Sequence, residues 1–160
     1  MASWPEPVER VSAYLREAGA EARIEEFSSG TPTAQDAAEA VGCELGQIVK
    51  SLVFDCDGRP VVAMVPGDRR ADARKVALAA GAEKARIVPA GGVEEVTGFA
   101  PGAVAPFPLA QVDLVFLDRR LLGHDRVWVG AGSTRHMAGL APAELVRVAR
   151  ATQADIAADD

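Results

Sequence analysis

The sequence predicts an α+β domain built on a largely antiparallel or mixed sheet. Two apolar runs joined by a hairpin signal, short helical patches between extended segments, and the lack of a regular βαβα alternation all point that way. The hairpin signal is the clearest. Ile48 to Phe54 and Val61 to Val65 flank a segment containing Asp57-Gly58, a pair favoured where a tight turn needs positive φ. The absent alternation counts against a doubly wound parallel sheet.

Each element follows from local pattern. Ser3 and Glu6 have capping-box spacing, and Pro5 suits a first helical turn. Val8, Val11, Leu15 and Ala18 then recur at helical spacing up to Gly19. Ala22 to Phe27 reads as a short strand. Thr33 is the expected N-cap of a helix carrying Ala37, Ala38 and Val41 and ending at Gly42. Asp72 to Ala80 is predicted helical, with Gly81 closing it, and Ala85 to Val88 extended. From Gly98 to Pro108 the chain carries two Gly and three Pro, the composition of a shaped loop. Val112 to Leu117 and Arg126 to Val129 read as strands joined through Asp118 and a turn at Gly123. A final helix starts near Pro142, with Leu145, Val148 and Ala149 on one side.

Composition narrows the class. With 49% apolar and 25% charged residues among 160, the chain can bury a real core and does not resemble a disordered one. Its formal net charge of −6 argues against coating nucleic acid by bulk attraction, so an RNA partner must be gripped through a small basic patch. Cys43 and Cys56 lack metal-ligand or redox spacing, which favours a reduced, cytoplasmic setting over a disulfide framework. No signal peptide or membrane span is expected.

Absences also narrow the chemistry. The sequence has no GxSxG elbow, Walker A loop, HExxH, or GxGxxG after a strand. His124 and His136 have no Cys or paired carboxylate at ligand spacing, so no metal site is expected. Catalysis would have to use backbone groups, water, substrate groups and perhaps one charged side chain.

Three features are candidates. By alternation Lys50 shares a face with Ile48, Leu52 and Phe54, where a cation is costly unless an anion or cavity receives it. It either snorkels from the rim of a strand or binds a ligand. The loop Thr97 to Phe107 either connects elements or points successive N–H groups at one spot, as an oxyanion hole requires. Gly130-Ala131-Gly132-Ser133, read as a small-residue turn ending a strand, either lines a pocket or simply turns the chain. His136 follows it, as a proton shuttle or polar contact, or as a surface or capping residue. Arg69, Arg70, Arg74 and Lys75 could meet phosphates, with Arg70 and Arg74 on one face if the helix reaches back that far. Asp68 and Asp72 interleave with them, as on an ordinary solvated face.

Taken in order, these pieces resemble the YbaK/ProX family of aminoacyl-tRNA editing domains. The resemblance rests on Thr33-Ala34-Gln35-Asp36-Ala37-Ala38, Gln47 to Phe54, Val62-Ala63-Met64-Val65-Pro66-Gly67-Asp68, the GxxxP loop Gly102 to Pro106, Gly130 to Ser133, and Leu140 to Leu145. It implies one domain over 1–160, with 30–157 as the editing domain and the helix and strand of 1–29 packed on it. It also implies a curved, mixed or antiparallel, barrel-like sheet surrounded by helices. The implied activity is trans-editing by a free-standing deacylase, which hydrolyses the ester of a mischarged small amino acid such as Ala, Cys or Pro on tRNA. Lys50 would hold the terminal nucleotide's phosphate, and the backbone at Gly102 would stabilise the oxyanion. Gly98, Ala103, Pro106, Gly130, Ala131, Gly132, Ser133 and His136 would contact substrate. The substrate's own ribose hydroxyl would orient the water. Here the loop reads Gly102-Ala103-Val104-Ala105-Pro106, where many relatives carry a second glycine and a serine.

No metal or organic cofactor is implied. The implied partners are aminoacylated tRNA and an aminoacyl-tRNA synthetase, not DNA or a membrane, and the chain is expected as a monomer or weak dimer. The competing reading is a non-catalytic module that keeps the pocket to recognise a small ligand or a protein. Lys50 occurring together with both small-residue segments favours the enzyme.

Overall fold

The computed structural model describes residues 4–27 and 33–159, and its helices and two sheets give the expected α+β class. The first helix, α1 (Glu6–Glu17), starts after Pro5 at its N-cap and buries Val8, Val11 and Leu15 on one face. Ser3, half of the expected capping box, lies outside the described residues. After β1 (Ala22–Glu26) comes α2 (Ala34–Val41), capped by Thr33, whose hydroxyl accepts the Asp36 N–H at 3.0 Å. Strands β2 (Val49–Cys56) and β3 (Arg59–Pro66) form the predicted hairpin. Asp57 (φ 54°) and Gly58 (φ 90°) both take the positive φ that such a turn needs.

Helix α3 (Ala73–Ala80) is capped by Asp72, whose carboxylate accepts the N–H groups of Arg74 and Lys75. That cap corrects one expectation. The helix does not reach back to Arg70, so Arg70 and Arg74 share no helical face. Strand β4 (Ala85–Ile87) leads to α4 (Ala90–Thr97), which sequence reasoning missed. Gly91 and Gly92 depress helix propensity there, and no side chain caps its start. The remainder is β5 (Leu114–Asp118), β6 (Val127–Ser133), β7 (His136–Leu140), α5 (Pro142–Ala149) and β8 (Thr152–Ala154).

The smaller sheet has the order β1-β7-β6 and is antiparallel throughout. The larger has the order β4-β2-β3-β5-β8, antiparallel across β4, β2 and β3 and parallel across β3, β5 and β8. A bridge between Ile48 and Trp128 joins the two beside β2 and β6. The barrel-like sheet is therefore two sheets meeting at a seam, not a closed barrel. Among the described residues no helix is long and apolar enough to cross a membrane.

The core lies between the sheets. Val49, Val53, Val62, Met64 and Leu117 cluster with Val129, Ala131, Ala138 and Leu140, with Val11 and Leu15 of α1, and with Leu145 and Val148 of α5. On the other face of the larger sheet, Phe54, Val61, Ala63 and Val65 pack with Val76, Phe116 and Ile156. This division sets the β2 register, because alternate residues enter opposite clusters. One buried charge closes the sheet. Asp118, fully buried, accepts the N–H groups of Ile156 and Ala157 at 3.0 Å each and pairs with Arg120 at 3.2 Å.

Asp118→Ala leaves Arg120 and two buried N–H groups without that acceptor. The expected loss is about 3 kcal/mol of unfolding free energy, read from urea denaturation, with Asp118→Asn losing less.

Candidate active site

The seam between the sheets leaves a cleft of about 320 Å³, lined by Lys50 and Ser51 of β2, Thr33 and Ala37 at α2, Gly102 and Val104 of the loop, and Gly130, Ser133 and His136 of the β6–β7 hairpin. Lys50 pairs across the strand with Val65 and sits on the face of Leu52 and Phe54, as alternation predicts. Its ammonium donates to the Arg69 carbonyl oxygen. An ammonium has three N–H donors, so two remain for an anion. Burial pushes the Lys50 pKa below the usual lysine value, while Asp68 opposes that shift and Arg70 adds to it.

Opposite Lys50, the loop and hairpin come together through missing side chains. A Cβ on Gly130 would lie 2.5 Å from the Val104 carbonyl oxygen, so only glycine lets β6 approach the loop this closely. Gly102 takes φ 81°. One expectation is corrected here. Gly130 to Ser133 is not a turn that ends a strand but the distal part of β6, with an irregularity in register between Gly130 and Ser133. The turn is at Thr134 and Arg135, and β7, which begins at His136, was missed. A stretch rich in Gly and Ala carries little strand signal of its own; pairing with β7 overrides that propensity.

His136 is buried, not a surface or capping residue. Its Nδ1 lies 2.6 Å from Ser133 Oγ, which also accepts the Arg135 N–H at 3.0 Å. Its Nε2 is buried without a hydrogen-bond partner, 3.7 Å from the Glu26 carboxylate. Burial lowers the His136 pKa; Glu26 opposes that shift and Arg135 adds to it. Ser51 Oγ is likewise buried without a partner. Two orphaned polar atoms on residues lining one cleft are the usual sign of a place where a polar ligand or water completes the bonding. Sequence reasoning missed Ser51; the available signal was a hydroxyl between Val49 and Val53 on a strand face that otherwise enters the core.

The other candidates stand behind the lining. Gly98 ends α4 in the left-handed region, and its carbonyl accepts from Arg10 at 2.8 Å. Ala103 donates to the Ala100 carbonyl at 3.0 Å and is buried, as is Pro106. Ala131 belongs to the core between the sheets. Gly132 backs onto α1, where a Cβ would lie 2.8 Å from Pro7 backbone atoms. In the basic segment, Lys75 is paired with Asp155 and Asp159 at 3.1 Å each, while Arg70 and Arg74 are exposed.

A two-sheet α+β domain with a lysine and two small-residue segments beside one cleft is the arrangement that the family resemblance implies, and comparison with known proteins gives that family. The chain belongs to the aminoacyl-tRNA editing domain family, whose model matches residues 28–148. It is 37% identical over 123 residues to the uncharacterized protein YwhH of Bacillus subtilis, covering 76% of this chain and 78% of that one. It is 29% identical to EbsC of Enterococcus faecalis, a proposed Cys-tRNA(Pro)/Cys-tRNA(Cys) deacylase, over 78% of this chain and 76% of that one. A crystal structure of a proposed trans-editing enzyme for prolyl tRNA synthetase superposes with a TM-score of 0.91 at 35% identity, covering 98% of this chain and all of the other. A proline–tRNA ligase of Maridesulfovibrio salexigens matches 100 residues at 34% identity, 62% of this chain but 17% of the ligase.

Gly130→Ala forces the Val104 carbonyl away from β6, and the expected cost is about 1–3 kcal/mol in urea denaturation. Burial of His136 in its neutral form means the unfolded chain binds more protons below the ordinary histidine pKa of about 6.5. Stability therefore falls as pH drops below that value. Between about pH 7 and pH 5 the loss should be smaller in His136→Gln than in the parent; equal losses would remove His136 from the titration.

Proposed function

We propose that this chain is an aminoacyl-tRNA deacylase that acts in trans, hydrolysing the ester between a mischarged small amino acid and the terminal adenosine of tRNA. The observation that carries the reading is the cleft itself, where Lys50, Gly102 and Val104 of the loop, and Gly130 and Ser133 of β6 line one space of about 320 Å³. That space suits an aminoacyl group together with part of a nucleoside. Action in trans is supported by the relatives of similar size, which the chain matches over most of their length, unlike the ligase. The cytoplasm, where aminoacyl-tRNA is made and used, is the setting this reading requires.

An aminoacyl ester is already activated, so catalysis needs position, a water and oxyanion stabilisation. The two ammonium donors of Lys50 not used by Arg69 bind the phosphate of the terminal nucleotide and place the ester against the loop. Water adds to the carbonyl carbon, and the negative charge that develops on its oxygen is met by backbone N–H groups. The Ala103 N–H is already bonded to the Ala100 carbonyl, so this reading gives that task to Gly102 and Val104, which line the cleft. Each good donor of this type is worth roughly 3–4 kcal/mol. The adjacent ribose hydroxyl orients the water, the bond between carbonyl carbon and ribose oxygen breaks, and the water proton passes to that ribose oxygen. Ser51 and the Ser133–His136 pair give the cleft its polar side and would contact the amino acid. The close approach of Gly130 to Val104 narrows the space, favouring small residues such as alanine, cysteine or proline. One methylene changes such discrimination by only about 1–3 kcal/mol.

The test is hydrolysis of a panel of mischarged tRNAs. Turnover of one or more small aminoacyl esters is expected, and Lys50→Ala should abolish it while the circular dichroism spectrum is unchanged. Binding without turnover would favour a recognition module, and an unchanged rate in folded Lys50→Ala would overturn the role given to the amine.

A further inference from the structure

The acceptor that holds the Lys50 ammonium belongs to the segment 67–72 between β3 and α3. A turn starts it, with the Arg69 N–H donating to the Pro66 carbonyl at 3.0 Å and the Gly67 N–H to the Ile48 carbonyl at 2.7 Å, and from Arg70 onward its backbone is fixed by residues 156–158. The Asp72 N–H donates to the Ile156 carbonyl at 2.8 Å, and the Ala158 N–H donates to the Arg70 carbonyl at 2.7 Å. Ala71 and Ala157 form an antiparallel bridge, and the Arg69 guanidinium reaches the Ala158 carbonyl at 3.4 Å. The stretch 155–159 is itself tied down along its length. Asp118 accepts the N–H groups of Ile156 and Ala157. Lys75 binds Asp155, Asp159 and the Ala157 carbonyl at 3.0–3.1 Å. Arg120 bridges Asp118, Asp155 and Asp159.

We infer that residues 155–159 act as a positioning strap for Lys50, fixing through the 69–72 segment the carbonyl that aims its ammonium into the cleft. The strap lies beyond residue 148, where the family match ends, and its polar link to Lys50 runs through this relay, while Ile156 and Ala157 also join the cluster against which Leu52 of the cleft packs. Its link to turnover rests on the deacylase reading; its link to the amine does not. An ammonium on a flexible stem loses affinity for an anion when it must also be ordered on binding. Loss of the strap should therefore weaken substrate binding more than it slows the bound substrate.

The chain has three lysines, Lys50, Lys75 and Lys84, of which Lys84 is exposed and serves as internal reference. Ala158→Pro removes the N–H that the Arg70 carbonyl accepts, and Ala158→Ser keeps it. The experiment is competitive acylation of the lysine amines at fixed pH, read residue by residue by mass spectrometry, with KM and kcat measured beside it. In Ala158→Pro the Lys50 rate relative to Lys84 should rise about tenfold, the worth of one hydrogen bond to a charged group. KM should rise by a similar factor with kcat within about twofold of the parent, and Ala158→Ser should match the parent in all three. If Ala158→Pro does not fold, a chain ended at Ala157 removes the same N–H, together with the Asp159 ion pairs and the Ala158 carbonyl, and the Lys50 acylation ratio should rise at least as much. An unchanged Lys50 rate in a folded variant overturns the strap. If the parent shows no deacylation, the functional reading fails and the acylation ratio still decides the strap.

Discussion

The register of the β2–β3 hairpin governs everything around the cleft. Asp57 and Gly58 adopt positive φ, which sets the turn, and the turn fixes Lys50 opposite Val65. Val49 and Val53 then enter the core between the sheets, while Phe54 packs on the far side. A slip of one residue would drive the lysine into that core at a prohibitive cost for an unpaired charge. The apolar partition of the hairpin therefore both stabilises the fold and holds an ammonium where two sheets part.

The opposite wall is made by close backbone approach. Gly130 and Gly132 allow β6 to lie against the Val104 carbonyl and the start of α1 respectively, so loop, strand and helix support one another without intervening side chains. Such a wall holds the main chain at fixed positions, which the proposed oxyanion stabilisation at Gly102 and Val104 requires. The same cleft leaves Ser51 Oγ and His136 Nε2 buried and unpaired. Such atoms are common where a protein binds something polar.

Much of this was legible in the chain. Thr33, Gly42 and Gly81 mark helix ends by simple capping chemistry, and the structure uses all three. The face occupied by Lys50 follows from alternation alone. What escaped was set by tertiary context. Helix α4 carries two glycines in its first turn, and β7 follows a run of glycine and alanine, so neither announces itself locally. Taking the end of β6 for a turn hid the pairing that buries His136 three residues from Ser133. Ser51 escaped because strand alternation counts hydrophobic residues and passes over a lone hydroxyl among valines.

The proposed activity requires that phosphate reach the amine of Lys50 inside the cleft. The most direct measurement is a crystal structure with an unreactive mimic of the substrate end, 3′-alanylamido-3′-deoxyadenosine 5′-monophosphate. The phosphate is expected within about 3 Å of Lys50 Nζ, with the amide carbonyl turned toward the Gly102 loop. A mimic bound elsewhere, with the Lys50 ammonium touching only the Arg69 carbonyl, would contradict it.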